Sequence, residues 1–201
     1  MILPNQLTTL RIILTPVFVT LFVSEDPMLK KISLVVYIIA AITDWYDGWL
    51  ARKFNYITEW GKFLDPLADK ILTSAAFLAF VYLDVLQLWM VLAIIVRDFV
   101  ITGVRLLADV KNMPFSTSKL AKWKTFVQMA FIYYLLIVYT LAADPNILNY
   151  HIGLFASLMD TILIYYIMLF VTLYTVLTGI YYLLKNRKLF WRLLTNDTQK
   201  K

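Results

Sequence analysis

The sequence predicts an all-α integral membrane protein with six transmembrane helices and both termini on the cytoplasmic side. Three observations carry that prediction. Of 201 residues, 61% are hydrophobic and only 16% are charged, whereas soluble domains run at about 45–50% and about 25%; mean hydropathy is +0.73. Several apolar runs reach the roughly 20 residues that cross about 30 Å of hydrocarbon. Lys and Arg, finally, collect on one set of alternating connections, the pattern of a multi-span chain.

Taken in order, the spans fall near residues 7–23, 31–52, 63–83, 87–108, 121–142 and 161–184. Turn-forming stretches separate them: SEDP at 24–27, FNYIT at 54–58, KNMPFSTS at 111–118 and ADPN at 143–146. The face reached by the 52–62 loop, the 105–124 loop and the C-terminus gathers Arg52, Lys53, Lys62, Arg105, Lys111, Lys119, Lys122, Lys124, Lys185, Arg187, Lys188, Arg192, Lys200 and Lys201, whereas Lys30 and Lys31 alone oppose the trend. The first group marks the cytoplasmic side, and it accounts for the net charge of +6 without nucleic acid. Residues 1–201 read as a single domain, with 1–6 a short juxtamembrane segment and 186–201 a basic cytoplasmic tail whose KNRKLFWR anchors at lipid headgroups. The opening MILPNQLTTLRIIL lacks the features of a cleavable leader, so insertion in an inner (cytoplasmic) membrane is expected. There are no cysteines, which removes disulfides and thiolate metal sites. His151 is expected at the outer interface with no catalytic role, and Asp160 at the outer start of the sixth span.

The segment DWYDGWLARKFNYITEWGKFLDPLADK holds the chemistry. Asp44 and Asp47, three apart, share a face at the end of the second span; Asp65 and Asp69, four apart, share one at the start of the third. A short turn over 53–60 folds the two spans antiparallel and brings the pairs together. Pro66 fits a first helical turn, where its missing N–H had no partner. The third span then begins just before Asp65, and its positive N-terminal end favours phosphate. One Asp at the centre of a membrane helix costs about 2.5–3.5 kcal/mol, and clustering raises that. Two divalent cations bring four positive charges to four negative ones, and all-oxygen ligation suits Mg²⁺ or Mn²⁺. The alternative is a set of salt bridges to Arg52, Lys62 and Lys70, which leaves the matched spacing of the pairs unexplained. Gly48, Ala51 and Gly61 allow close approach of a flat ligand or of another helix. Arg52 is a fork-shaped donor suited to phosphate.

Written out, the pattern is Asp44-x2-Asp47-Gly48-x2-Ala51-Arg52-x8-Gly61-x3-Asp65-x3-Asp69. It resembles, without departure, the signature of the CDP-alcohol phosphatidyltransferase family. That resemblance implies six membrane helices, a cytoplasmic active site, two metal ions and a homodimer. It implies that Asp44, Asp47, Asp65 and Asp69 hold the metals, and that Gly48, Ala51, Arg52 and Gly61 shape a cytidine-diphosphate pocket. Asp69 would also be the base that takes the proton from the incoming alcohol.

Further segments resemble the family's phosphatidylglycerophosphate synthases: PNQLTTLR at 4–11, RDFVITGVR at 97–105 and KWKT at 122–125. Asn5, Thr8 and Arg11, spaced i, i+3, i+6, can face the nucleotide together, or Asn5 can serve as an N-cap. Arg97 lies some nine residues, roughly 14 Å, into the fourth span, a functional position for an arginine by default. Asp98 beside it can neutralise it; alternatively Arg97, Arg105, Lys122 and Lys124 form a cationic pocket for an acceptor that carries a phosphate. Asp98 stands where those synthases have a glutamate. The expected reaction passes the phosphatidyl group of CDP-diacylglycerol to glycerol 3-phosphate. A cardiolipin synthase that uses phosphatidylglycerol is the nearest rival, and a divalent-metal transporter is the rival of another class. Acids clustered at one end, with no charged route outward, argue against transport.

Overall fold

The computed structural model describes residues 3–54, 59–111 and 119–187, with side chains for 7–43, 46, 61, 64–111 and 123–187. Among these there are eight helices and no strand: α1 (Leu3–Val23), α2 (Pro27–Phe54), α3 (Glu59–Tyr82), α4 (Leu88–Val110), α5 (Lys119–Ala142), α6 (Pro145–Tyr150), α7 (Ile152–Leu158) and α8 (Thr161–Lys185). Six of them coincide with the six apolar runs. The short α6 and α7 fill a connection that composition marks only as a turn. Asp144 caps α6 by accepting from the Asn146 N–H at 3.0 Å, with Pro145 at the first helical position. Asp160 caps α8 through the N–H groups of Ile162 and Leu163, the start expected for that helix.

Each long helix turns one stripe inward, and the stripes share a polarity. On α1 the buried positions are Thr8, Arg11, Thr15, Phe18 and Phe22, spaced three or four apart; the stripe runs from polar to aromatic. On α2, Ser33, Tyr37 and Ala40 are buried, and Asp44 and Asp47 continue their register toward its C-terminal end. On α4 the stripe passes from Met90 and Ile94 to Asp98 and Thr102, and on α5 from Lys124 and Gln128 to Phe131, Leu135 and Val138. Because the long helices run alternately up and down, the polar segments all arrive at one end of the bundle. The pairings fix this: Thr8 of α1 meets Asp65 of α3, Asp98 of α4 meets Lys124 of α5, and Arg97 of α4 meets Thr178 of α8. At the opposite end Lys31 of α2 pairs with Asp144 at 2.5 Å, which gives that lysine a partner on the sparsely basic side. The Lys31 hydrogen bond, with the Asn146 N–H, holds the Asp144 carboxyl below the usual carboxylate range.

The apolar end is an aromatic core. Phe18 meets Tyr37 with ring centres 5.0 Å apart; Phe22 lies edge-on to Phe80 at 5.0 Å; Phe80 meets Tyr139 at 5.6 Å. Edge-to-face pairs of this kind contribute about 0.5–1.5 kcal/mol each beyond their area. Outward faces carry exposed Ile13, Val35, Ile42, Val96, Phe170 and Leu177, where a soluble bundle places charge. Two stretches among the described residues, Trp123–Ala142 and Ile152–Lys185, are long and apolar enough to cross a membrane. The chain is a membrane protein. Among the described residues Leu7–Val23 of α1 is a further, shorter apolar helix.

One boundary differs from the sequence expectation. Helix α3 starts at Glu59, so Asp65 and Pro66 lie inside it and not in its first turn. Nothing between Glu59 and Leu64 stops a helix, and although Pro66 lacks an N–H and its ring crowds the carbonyl one turn back, proline is tolerated inside membrane helices where neighbours support it. The N-terminal positive end is therefore too far from Asp65 to bind a phosphate there, since that field fades within the first turn. The turn expected over 53–60 is correspondingly shorter, with 55–58 outside the described residues. Asn5 lies within α1, which begins at Leu3, so it is not an N-cap.

Candidate active site

Asp65 and Asp69 lie one turn apart on α3, both partly buried. Alpha-helical spacing alone puts them on one face. The Thr8 hydroxyl, itself buried, donates to Asp65 Oδ1 across the α1–α3 contact. Asp69 Oδ2 has the Lys70 ammonium at 3.2 Å, and the Asp69 backbone carbonyl accepts from Thr73 Oγ1 at 2.8 Å. Gly61, one turn before Asp65, is buried. Asp44, Asp47, Gly48, Ala51 and Arg52 all fall on the continuous helix α2, and their side chains lie outside the described residues, as does that of Asn5. The α1–α2 and α1–α3 contacts are the most extensive in the bundle.

No group of three or more metal-capable side chains occurs among the described residues; two of the four expected ligands lie outside them. What is described fits a hard divalent cation: two carboxylates one turn apart, with oxygen donors only. The Thr8 hydroxyl fixes one of them from behind, the kind of outer support that orients ligating carboxylates.

Next to this face sits a buried ionic cluster. Asp98 is only 3% exposed, and its Oδ1 accepts from Arg97 Nη1 at 3.0 Å and from Lys124 Nζ. Lys70 Nζ is 3.9 Å from Asp98 Oδ2 and so lies between Asp69 and Asp98. Arg97 Nη2 reaches Thr178 Oγ1 at 3.4 Å. Its aliphatic stem crosses α8 at Gly179, where an added Cβ would lie 2.8 Å from Arg97 Cγ and 2.9 Å from Nε. Glycine there makes room for the arginine.

Of the expected cationic pocket, then, Arg97 and Lys124 converge on Asp98, Arg105 is exposed on α4, and the Lys122 side chain lies outside the described residues. The pairing of Arg97 with Asp98, one of the roles the sequence leaves open for Arg97, is present. The sequence alone gives Lys70 and Gly179 no role at this cluster. Lys70 follows Asp69 directly, and its proximity to α4 depends on how α3 and α4 pack, which spacing along the chain does not encode. His151 is exposed and meets only the neighbouring Tyr150 ring, at 4.7 Å, among the described aromatic contacts.

Comparison with known proteins places the chain among named relatives. The chain is 40% identical over 139 residues to the CDP-diacylglycerol–glycerol-3-phosphate 3-phosphatidyltransferase of Bacillus subtilis (strain 168), covering 63% of this chain and 72% of the relative. It is 37% identical over 127 residues to the protein of the same name from Rickettsia typhi, covering 63% and 71%. Against that of Salmonella typhimurium it is 37% identical over 139 residues, covering 67% and 76%. A family profile described as CDP-alcohol phosphatidyltransferase matches residues 1–178, which take in every aspartate and cation of the site. Carboxylates on α3 beside a buried cationic cluster, and a family match across nearly the whole chain, lead to one conclusion: this chain belongs to the CDP-alcohol phosphatidyltransferase family.

Proposed function

We propose that the chain transfers the phosphatidyl group of CDP-diacylglycerol to glycerol 3-phosphate, giving phosphatidylglycerophosphate and CMP. The observation that carries this reading is the shared name of relatives at 36–40% identity. The chemistry on α3 and α4 supports it: a carboxylate face suited to cations borders a cationic cluster suited to a phosphate. Members of this family work with divalent cations. Here Asp44, Asp47, Asp65 and Asp69 would hold two, Mg²⁺ or Mn²⁺, which would supply charge neutralisation for the diphosphate and the departing CMP oxygen.

The protein's own groups do the rest. Asp69 takes the proton from the acceptor hydroxyl; the freed oxygen bonds to the phosphatidyl phosphorus as the bond from that phosphorus to the CMP oxygen breaks. Thr8 steadies Asp65. Asn5, Gly48, Ala51, Arg52 and Gly61 line the nucleotide side, while Arg97, Arg105, Lys122 and Lys124 draw the acceptor's phosphate. Phosphoryl transfer asks mainly for such positioning and charge stabilisation. In this reading residues 1–201 form one catalytic unit of six spans in the inner membrane, with both ends and the site facing the cytoplasm, working as a homodimer.

The test is direct. Purified protein with CDP-diacylglycerol and Mg²⁺ is offered glycerol 3-phosphate or phosphatidylglycerol, and CMP is quantified. Release with glycerol 3-phosphate is expected; release with phosphatidylglycerol alone, or with neither, refutes the assignment.

A further inference from the structure

Three cations from three helices meet one buried carboxylate: Lys70 from α3, Arg97 from α4 and Lys124 from α5 surround Asp98. Asp69, 3.2 Å from Lys70, is a second carboxylate at the edge of this group, so three positive charges face two negative ones, a surplus of one. In a weakly polar interior such a surplus is unfavourable unless an anion offsets it. Without Asp98 the three cations would repel one another and swing toward water. Asp98 holds the cations together and leaves them undersatisfied. The donors permit this, since an ammonium has three N–H groups and a guanidinium five, and one carboxylate oxygen engages only one from each.

We propose that Asp98 is a positioning residue for the phosphate-bearing acceptor, and that its carboxylate presets Lys70, Arg97 and Lys124 as a cluster that draws a phosphate monoester. This rests on the acceptor reading above and extends it to selectivity. Near neutral pH a phosphate monoester carries about −1.5 to −2, whereas a phosphodiester carries a single negative charge. A positive surplus draws the first more strongly. The cluster is also well placed: Lys70 is 3.2 Å from Asp69 Oδ2, so a phosphate held there leaves the rest of a small acceptor beside the proton-accepting carboxylate. Arg97 is kept in the cluster from behind, by Thr178 and by the space at Gly179.

The test separates positioning from mere helix-tying by following both substrates in purified protein. Asp98→Asn removes the charge that gathers the cluster and keeps the shape. Its KM for glycerol 3-phosphate should rise about tenfold or more, with the KM for CDP-diacylglycerol changed by less than about twofold. Asp98→Glu keeps the charge and should return the acceptor KM to within about threefold of the parent. Gly179→Ala keeps every charge and displaces Arg97, so it too should raise the acceptor KM selectively; it decides the matter if Asp98→Asn does not fold. Equal changes in both KM values, or an unchanged acceptor KM in folded Asp98→Asn or Gly179→Ala, overturn the proposal. A parent protein that ignores glycerol 3-phosphate overturns the acceptor reading itself, a result distinct from a failure confined to the variants.

Discussion

Replacing Lys124 by methionine tests the buried cluster as a source of stability. Methionine approximates the lysine stem in length and flexibility, so the change removes charge and hydrogen bond with little loss of packing. Lys124 is 2% exposed and Asp98 3%. Removing one partner from such a pair costs about 3–5 kcal/mol when the other charge is left uncompensated. Asp98 would still have Arg97 at 3.0 Å and Lys70 at 3.9 Å, so the expected loss falls to about 2–3 kcal/mol, the scale of one charge-assisted hydrogen bond. For a protein of this length each kcal/mol moves Tm by about 2–4 °C, which predicts a fall of about 4–12 °C. The assay is thermal unfolding in detergent micelles, followed by tryptophan fluorescence. Lys185→Met is the control, at an exposed position in the last turn of α8. A Lys124→Met shift no larger than that of the control would refute the claim that Lys124 is held by a buried partner.

Other outcomes can be checked on the same material. Asp69→Asn should fold and melt like the parent yet lose CMP release by about 10²–10⁴-fold, the usual contribution of a positioned base; near-normal turnover removes Asp69 from that role. Exhaustive chelation should stop the reaction, and Mg²⁺ or Mn²⁺ should restore it, as measured by CMP formed. Thr8→Val deletes the donor to Asp65 and should weaken the apparent affinity for the activating cation by about 10–100-fold, read from the dependence of rate on cation concentration. At the other end of the bundle, the folded state depresses the Asp144 carboxyl through its Lys31 hydrogen bond. That stabilisation is present above the ordinary carboxylate range and lost as pH falls through the folded value. Lys31→Ala should therefore melt lower than the parent near neutral pH and converge with it in acid.

The six long helices were legible because long apolar runs leave the chain few alternatives, and Asp160 announced α8 by the chemistry of its side chain. The start of α3 was misleading. Asp65 and Pro66 look like a helix entrance, but Glu59–Leu64 carries the helix about one and a half turns further back. Helices α6 and α7 are too short to show a period; α6 depends on the local Asp144–Pro145 cap. At the site, spacing alone put Asp65 and Asp69 on one face, since both lie on a single helix. What spacing could not supply was the choice of partners between helices. Asp98 is adjacent to Arg97 in sequence and 26 residues from Lys124, yet the second contact depends on which face of α4 meets α5. Thr8 and Asp65, 57 residues apart, illustrate the same point.

Helix α3 carries acidic groups near one end and Phe77 and Phe80 near the other, joined by about 1.5 Å of rise per residue. It is a lever whose handle lies deep in the aromatic core and whose tip is the pair of carboxylates. Trimming Phe80 would let the rod settle into the void, and a tilt too small to unfold anything would be magnified some 16 Å away, on the same 1.5 Å rise, at Asp69. Turnover should therefore be more sensitive than melting temperature to changes in residues that no substrate ever touches.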